Sequence, residues 1–377
     1  MERENVLKNP KLCYVLPEYS PESHTHFSYI VDFLKIIEKE VDIFLIVEKG
    51  DGKKIGLKNV VSLTFHIAPL RIIETTIRLI QARLKGYKTT YIHYSFIGAF
   101  LASLIAKVTK GTTFYWNCGL PWNYKRNALR DWFERKTYSL ITHLVTGTDS
   151  LKKKYAKHYN LEEESIIVLP NWINVEKIQD HVKKENKKNL RARHGIEDND
   201  KVILFIHRLS QRKGAHYLPG IAHAIRDEKT VLLIIGDGPE RNHIELTIRN
   251  QGLDRHAKFL GWLPHEDALK YFCIADVFIM PSEEEGFPHV LLEAMATGTP
   301  FTAFDVGGVK EITPPSTEDY ILGEGDIEGF ISKTKELLKL SKEKKSDLAR
   351  SEKNHVKKYD TDDVLKMFKR VIVDKVQ

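Results

Sequence analysis

Two cations and two carboxylates, each set in a loop that follows an apolar run, are the side chains of this sequence best placed for chemistry. The cations lie in HRLSQRKG (207–214), after the run KVILFI. Arg208 and Lys213 would stand there at a strand's C-terminal end and a helix's N-terminus. Their charges and the helix amides would converge on one anion, in outline a diphosphate. The same two residues would also suit a solvated surface. The carboxylates lie in PSEEEGFPHVLLEAMATGTP (281–300). Glu285 ends a loop, Gly286 lets backbone approach closely, and a helix opening near Pro288 carries Glu293 about one turn in. A carboxylate near a helix start accepts paired hydrogen bonds from vicinal hydroxyls, as on a ribose. Phe287 stands between the two halves of this string. A third segment, IIGDGPE (234–240), closes a strand on Gly236, Asp237 and Gly238. It reads either as a ligand-facing turn or as a plain turn capped by Asp237.

The elements that must position these residues alternate along the chain. Candidate strands in the first half are 11–16, 41–47, 60–65, 89–94, 112–117, 143–147 and 165–170, with helices at 25–39, 71–86, 96–109, 124–140 and 149–158. The second half offers strands at 201–207, 230–236, 257–262, 276–282 and 300–305, with a weaker one at 320–323. Its helices fall at 212–227, 239–251, 265–273 and 288–297, and the tail from 326 reads as continuous helix. Short β-branched runs alternating with helical patterns are the mark of parallel α/β architecture. The charged stretch 176–200 reads as a solvated connector with some helix. Two doubly wound, Rossmann-like domains are expected, covering 1–174 and 175–358, with a last segment, 359–377, that packs back on the first. Open parallel sheets bind ligands outside the carboxyl ends of their strands, and the residues above fall in such loops.

Composition narrows the classes. At 377 residues the chain exceeds the usual reach of one core. Hydrophobic residues make up 42% and charged residues 29%, a globular profile and not a disordered one. The net charge of +7 admits phosphate ligands, anionic membranes and nucleic acids. Cys13, Cys118 and Cys273 are too scattered for a disulfide framework or a zinc site. The N-terminus has no apolar core and does not read as a secretory signal. The longest nearly uncharged apolar stretch, 94–106, is too short to span a bilayer. A cytoplasmic protein, at most touching the inner membrane face, is the expectation.

The segment 281–300 resembles the donor-site motif of the retaining glycosyltransferases of family 4, and HRLSQRKG resembles that family's basic phosphate motif. GDGPE, FLGW (259–262) and FDVGGVKEI (304–312) are similar to family segments in the same order and spacing. The likeness is specific over 201–312 and architectural before it. It implies the GT-B fold, two Rossmann-like domains facing across a cleft, with acceptor bound by the first, donor by the second, and a C-terminal helix crossing back to the first. It implies a sugar taken from a UDP-, GDP- or ADP-linked donor with retention and without a metal or other cofactor, as in polysaccharide biosynthesis. Arg208 and Lys213 would then stabilise the leaving diphosphate. Glu293 would hold the ribose, Glu285 would position the sugar, and amides near Gly286 and Phe287 would add donors. The first half departs from the pattern. PEYSPESHTHF (17–27) replaces a glycine pair, which makes Glu18, Ser23, His24, Thr25 and His26 cleft candidates, or leaves Ser23 as a helix cap and the histidines on the surface. Asn117, Cys118 and Gly119 stand where a histidine is common, and PNWIN (170–174) replaces a glycine-containing hinge.

The acceptor is open among a glycan, a lipid-linked compound and a small molecule. The helix within 69–88 has apolar residues at helical spacing, with Arg71, Arg78, Arg83, Lys85 and Lys88 on the polar side. It packs its apolar face in the core with a solvated basic face, or it rests on anionic lipid. No nucleic-acid recognition motif accompanies the basic charge, and no nucleic-acid partner is expected. A nucleotide-sugar epimerase of the same fold and a degenerate sugar-nucleotide binding module are the rival readings.

Overall fold

A computed structural model describes residues 9–20, 28–65, 67–226 and 229–373. The chain forms two units, one of residues up to Pro170 joined by the segment from Val364, the other Asn171–Asp363.

The first unit is built on seven parallel strands: β1 (Lys11–Leu16), β2 (Asp42–Val47), β3 (Asn59–Ser62), β4 (Thr89–His93), β5 (Thr112–Trp116), β6 (His143–Thr146) and β7 (Ile166–Val168). Their order is β3-β2-β1-β4-β5-β6-β7. KLCYVL and DIFLIV are apolar on both faces because helices cover both sides of such a sheet. Between the strands run α1 (Ser28–Ile37), α2 (Ala68–Leu84), α3 (Phe96–Thr109), α4 (Ala128–Leu140) and α5 (Asp149–Tyr159). Ser95, Asn127 and Thr148 open α3, α4 and α5 by accepting a hydrogen bond from an amide three residues on.

The second unit opens with α6 (Val175–Lys183) and α7 (Lys187–Arg193), which fill the charged stretch read as a connector. Its six parallel strands are β8 (Lys201–Ile206), β9 (Thr230–Ile235), β10 (Ala257–Gly261), β11 (Val277–Met280), β12 (Phe301–Phe304) and β13 (Ile321–Leu322). The order is β10-β9-β8-β11-β12-β13. The helices are α8 (Leu218–Ala224), α9 (Arg241–Asn250), α10 (His265–Leu269), α11 (His289–Thr297), α12 (Val309–Ile312), α13 (Ile327–Lys339) and α14 (Lys342–Val356). Residues such as Ile203, Leu204, Ile279 and Leu292 are wholly buried. Each such side chain contributes about 1.5–3 kcal/mol by leaving water.

The last helix, α15 (Thr361–Phe368), continues as a π-helical turn to Val373. The chain thereby returns to the first unit. The Phe368 ring lies 5.2 Å from both Phe33 and Tyr91, and Lys369 Nζ sits 2.6 Å from Glu40.

Three readings of the sequence are corrected. The helix expected over 212–227 is interrupted, because Gly214 adopts a left-handed φ of +67° between two 3-10 turns and α8 starts only at Leu218, with Pro219 in its first turn. The tail is not one helix. Ser341 caps α14 through the amide of Lys344, and a 3-10 turn at Lys357–Tyr359 precedes Asp360. The Asp360 carboxylate accepts the amides of Asp362 at the start of α15 and of Val175 at the start of α6. Finally, α2 does not place its apolar stripe in the core. Its inward residues are Glu74, Thr75, Leu79 and Ala82, and its isoleucines face outward.

All three cysteines are buried free thiols. Burial pushes Cys13 and Cys118 up to about 12 and Cys273 up to about 11. No helix among the described residues is long and apolar enough to cross a membrane.

Candidate donor site

In the second sheet the winding reverses between β8 and β11, which are hydrogen-bonded neighbours. The loops after these two strands meet at that switch point. Gly214 makes the meeting close: a Cβ there would lie 1.7 Å from the carbonyl oxygen of Pro281. The amides of Glu283 and Glu284 both donate to the carbonyl of Arg212, at 3.0 and 3.2 Å. Arg212 also pairs with Glu284 at 3.1 Å. A second glycine serves from the far side, since a Cβ on Gly307, at φ +59°, would lie 1.7 Å from the Glu285 carbonyl oxygen.

This framework holds a buried ionic cluster. Lys213 Nζ donates to Glu285 Oε1 at 2.7 Å and lies 3.4 Å from the Glu284 carbonyl oxygen. His207 Nε2 reaches the same Glu285 oxygen at 3.2 Å. The Arg208 amide donates to His207 Nδ1 at 2.9 Å, which leaves the proton on Nε2 and directs it to the carboxylate. Burial pushes the Glu285 carboxyl up, but the Lys213 charge and the His207 hydrogen bond outweigh it and hold the group far below its ordinary range. His207 is lowered, chiefly by burial and then by Lys213. Arg208 differs from Lys213. It is exposed, and among the described residues its guanidinium makes no ion pair.

Glu293, on α11, is a second buried carboxylate. Its Oε1 lies 2.6 Å from Nε2 of His265, the first residue of α10. Burial raises the Glu293 carboxyl, while the charge and hydrogen bond of His265, with a further contribution from His289, bring it below its ordinary value. His265 is raised in turn, by the Glu293 charge above all. Pro288 precedes α11 as its cap residue, Phe287 is buried with its ring 5.6 Å from that of Tyr359, and Gly286 is half-buried beside Glu285.

Gly236, Asp237 and Gly238 have framework tasks. Cβ atoms on the two glycines would lie 1.9 Å from the His207 carbonyl oxygen and 2.2 Å from that of Leu209. Asp237 accepts the Gly238 amide at 2.7 Å and pairs with Arg241 at 2.9 Å. The turn therefore braces the loop that carries His207 to Lys213. Sequence reasoning did not single out His207 or His265. His207 opens the segment HRLSQRKG and His265 the helix expected over 265–273, but their partners are 78 and 28 residues away.

In the first unit, Ser23 and His24, with Thr25 and His26, lie outside the described residues. Asn117 is engaged in the framework. Its amide nitrogen lies 3.3 Å from Tyr115 Oη and 3.1 Å from Tyr138 Oη, and its oxygen accepts the Gly119 amide at 2.8 Å. Glu18 lines a cavity of about 260 Å³ at the carboxyl end of this sheet, together with Glu48, Lys49, Arg71, Tyr94 and Ser95. Ser95 Oγ donates to Glu48 at 2.5 Å. Tyr94 is held at a left-handed φ of +55° there, an arrangement that costs about 1–3 kcal/mol and persists because its surroundings impose it.

The six-stranded sheet gathers at its switch point a buried lysine, two buried carboxylates and glycine-enforced loop contacts, and the two parallel-sheet, Rossmann-like units are those of the GT-B fold. Solved structures share that fold over nearly the whole chain. A glycosyltransferase from Rickettsia africae superposes with a TM-score of 0.80 at 15% identity, covering 98% of this chain and 99% of its own. An Anabaena protein solved with UDP superposes with a TM-score of 0.78 at 15% identity, over 97% and 100%. Residues 186–355, less than half of the chain, match the family described as Glycosyl transferases group 1. An uncharacterized glycosyltransferase of Methanocaldococcus jannaschii is 35% identical over 170 residues, 45% of this chain and 44% of its own length. The N-acetyl-α-D-glucosaminyl L-malate synthase of Bacillus anthracis is 29% identical over 157 residues, 41% of each. The chain thus matches these curated relatives over less than half of their length.

Proposed function

We propose that this chain is a retaining, metal-independent glycosyltransferase that takes a sugar from a nucleoside diphosphate donor held by its second unit. The observation that carries the reading is the buried Lys213–Glu285–His207 cluster, with Glu293 on the adjoining helix, at the switch point of the six-stranded sheet. In the reaction the bond from the anomeric carbon to the diphosphate breaks and negative charge grows on the leaving phosphate. Lys213, held by Glu285 and the Glu284 carbonyl, opposes that charge from a fixed position, and Arg208, exposed on the same loop, adds a second cation when the donor binds. Glu285, kept ionised at neutral pH, accepts hydroxyls of the transferred sugar. Amides at Gly286 and Phe287 add donors, and Gly236, Asp237 and Gly238 set the loop beside the donor.

Glu293 accepts the ribose hydroxyls. His265 hydrogen-bonds that carboxylate, so donor binding exchanges one hydrogen-bond partner for another. UDP is the first donor base to test, since the similar Anabaena protein was solved with UDP and with UDP-glucose. The acceptor is a glycan, a lipid-linked compound or a small molecule, met in the cytoplasm or, for a lipid-linked acceptor, at an anionic membrane surface.

Calorimetric titration of UDP, GDP and ADP into the wild type and Glu293→Ala tests this. One diphosphate should bind with a Kd in the micromolar range, and the substitution should weaken it roughly tenfold. A folded protein that binds none of the three overturns the donor site.

A further inference from the structure

Helices on a soluble sheet turn their apolar stripe inward, and α2 does the reverse. Ile73, Ile77, Ile80 and Leu84 follow one another at helical spacing and are 55, 55, 43 and 85% exposed. The inward side carries Glu74 and Thr75 instead. The adjacent helix α3 repeats the pattern. Gly98, Ala99, Ala102 and Ala106 face inward, while Ile97, Leu104 and Val108 face outward. On α4, which packs against α3, Leu129 and Trp132 are exposed as well.

The charge around this surface is one-sided. Residues 65–136 contain twelve Lys and Arg against three Asp and Glu. All three acids are neutralised locally. Glu74 accepts the amides of Thr64 and Phe65 and pairs with Arg78, Asp131 pairs with Arg135, and Glu134 pairs with Arg126. Lys107, Lys110, Lys125, Arg130 and Lys136 are exposed and make no ion pair among the described residues.

We propose that the first unit docks on an anionic lipid bilayer through the outward faces of α2 and α3. Isoleucines and leucines flanked by lysines and arginines, with no unmatched acid, are complementary to an acyl boundary under phosphate headgroups. A second copy of the chain is a poorer occupant, because a two-fold contact would oppose the same cations. The surface also runs into a polar recess. Ile72 and Ile97, at its edge, line the cavity that holds Arg71 and Lys49 beside Glu18 and the Glu48–Ser95 pair, so a lipid headgroup at that depth meets two cations together with carboxyl and hydroxyl hydrogen-bond partners. The docking does not need the transferase reading. Where that reading holds, it brings a lipid-linked acceptor to the enzyme.

The test is flotation of the full chain with phosphatidylcholine vesicles, with and without phosphatidylglycerol, at low and high salt. The expected result is flotation only with phosphatidylglycerol, lost at high salt. Ile73→Glu/Ile77→Glu should lower the bound fraction about tenfold or more, an effect of the buried apolar area the helix supplies. Leu246→Glu, an equally exposed leucine of the second unit, should float like the wild type. Because these positions are exposed, nucleoside diphosphate binding and thermal melting should be unchanged in every variant, so the outcome is separable from that of the donor-site titration. The proposal is overturned if the wild type fails to float at low salt, or if the double variant floats equally. It is also overturned if sedimentation shows a wild-type dimer that the double variant dissociates, which would assign the face to a second copy.

Discussion

The two sheets of this molecule are wound alike, each with its first strand beside its fourth, yet their switch points are furnished in opposite ways. In the second sheet the crevice holds two buried carboxylates, each against a basic side chain, Lys213 against Glu285 and His265 against Glu293. In the first it is edged by Glu48 and Ser95, hydrogen-bonded to each other, with Glu18, Lys49 and Arg71 around them, while His93 lies buried beneath, stacked 4.3 Å from Trp116. A crevice already organised for an anion needs fixed charge that cannot relax toward its partner. A crevice where a hydroxyl and carboxyl groups stand beside Lys49 and Arg71 offers hydrogen bonds as well as charge, and so suits a hydroxyl-bearing ligand with or without a phosphate. Common topology thus provides two sites, and side-chain chemistry alone decides what each can hold.

The contrast breaks most visibly at the cations. Lys213→Ala should lower release of nucleoside diphosphate from a bound sugar donor by about 10²–10³-fold, the usual effect of deleting a fixed electrostatic partner of the transition state. It also leaves Glu285 buried without its cation, which costs about 3–5 kcal/mol of stability. Arg208→Ala separates the two effects. Being exposed, it should change stability by less than about 0.5 kcal/mol while still slowing release. Full rates in both variants would remove the second switch point from the reaction.

The two buried glutamates offer a sharper comparison, because their pH dependences have opposite sign. Glu285 is lower in the folded chain than its ordinary 4.5, so its contribution to stability is complete above that value and is lost as pH falls through the folded value. Glu48 is raised, mainly by burial, so the folded chain holds its proton longer, and stability declines as pH rises from 4.5 through the raised value. Chemical denaturation across this range should show Glu285→Gln flattening the loss on the acid side and Glu48→Gln flattening the decline toward neutrality. A tenfold difference in proton affinity between the folded and unfolded chain corresponds to about 1.4 kcal/mol. Parallel slopes in the two variants would mean that the crevices are not electrostatically distinct.

The smallest effect belongs to the outward helix. Ile77→Gln should alter the unfolding free energy by less than about 0.5 kcal/mol, whereas Ile279→Ala, deep in β11, should cost about 2–5 kcal/mol. Equal costs at the two positions would mean that α2 is not outward in solution.

What the sequence could say about these features follows from how local each one is. The strands were readable because parallel, doubly covered strands are continuous apolar runs, as in KLCYVL and DIFLIV. The cations and glutamates of the second unit stand in contiguous strings, so their types and spacing were visible together. His207 and His265 were not singled out, since what marks them is a carboxylate brought from elsewhere in the chain. The break at Gly214 depends on a carbonyl of Pro281, which no local pattern includes. For α2, helical spacing defines an apolar face but not the direction in which it points. Only the inward hydrogen bonds of Glu74 to the amides of Thr64 and Phe65 fix it.

The burial of all three thiols makes the native chain a silent background for maleimide and nitroxide chemistry. Thiolate is the reactive form, and groups pushed up to about 11 or 12 contain very little of it at neutral pH. A single cysteine introduced at an exposed position such as Leu84 or Leu246 would therefore carry a probe at one known place. Distances and solvent polarity could then be followed in an otherwise unaltered molecule.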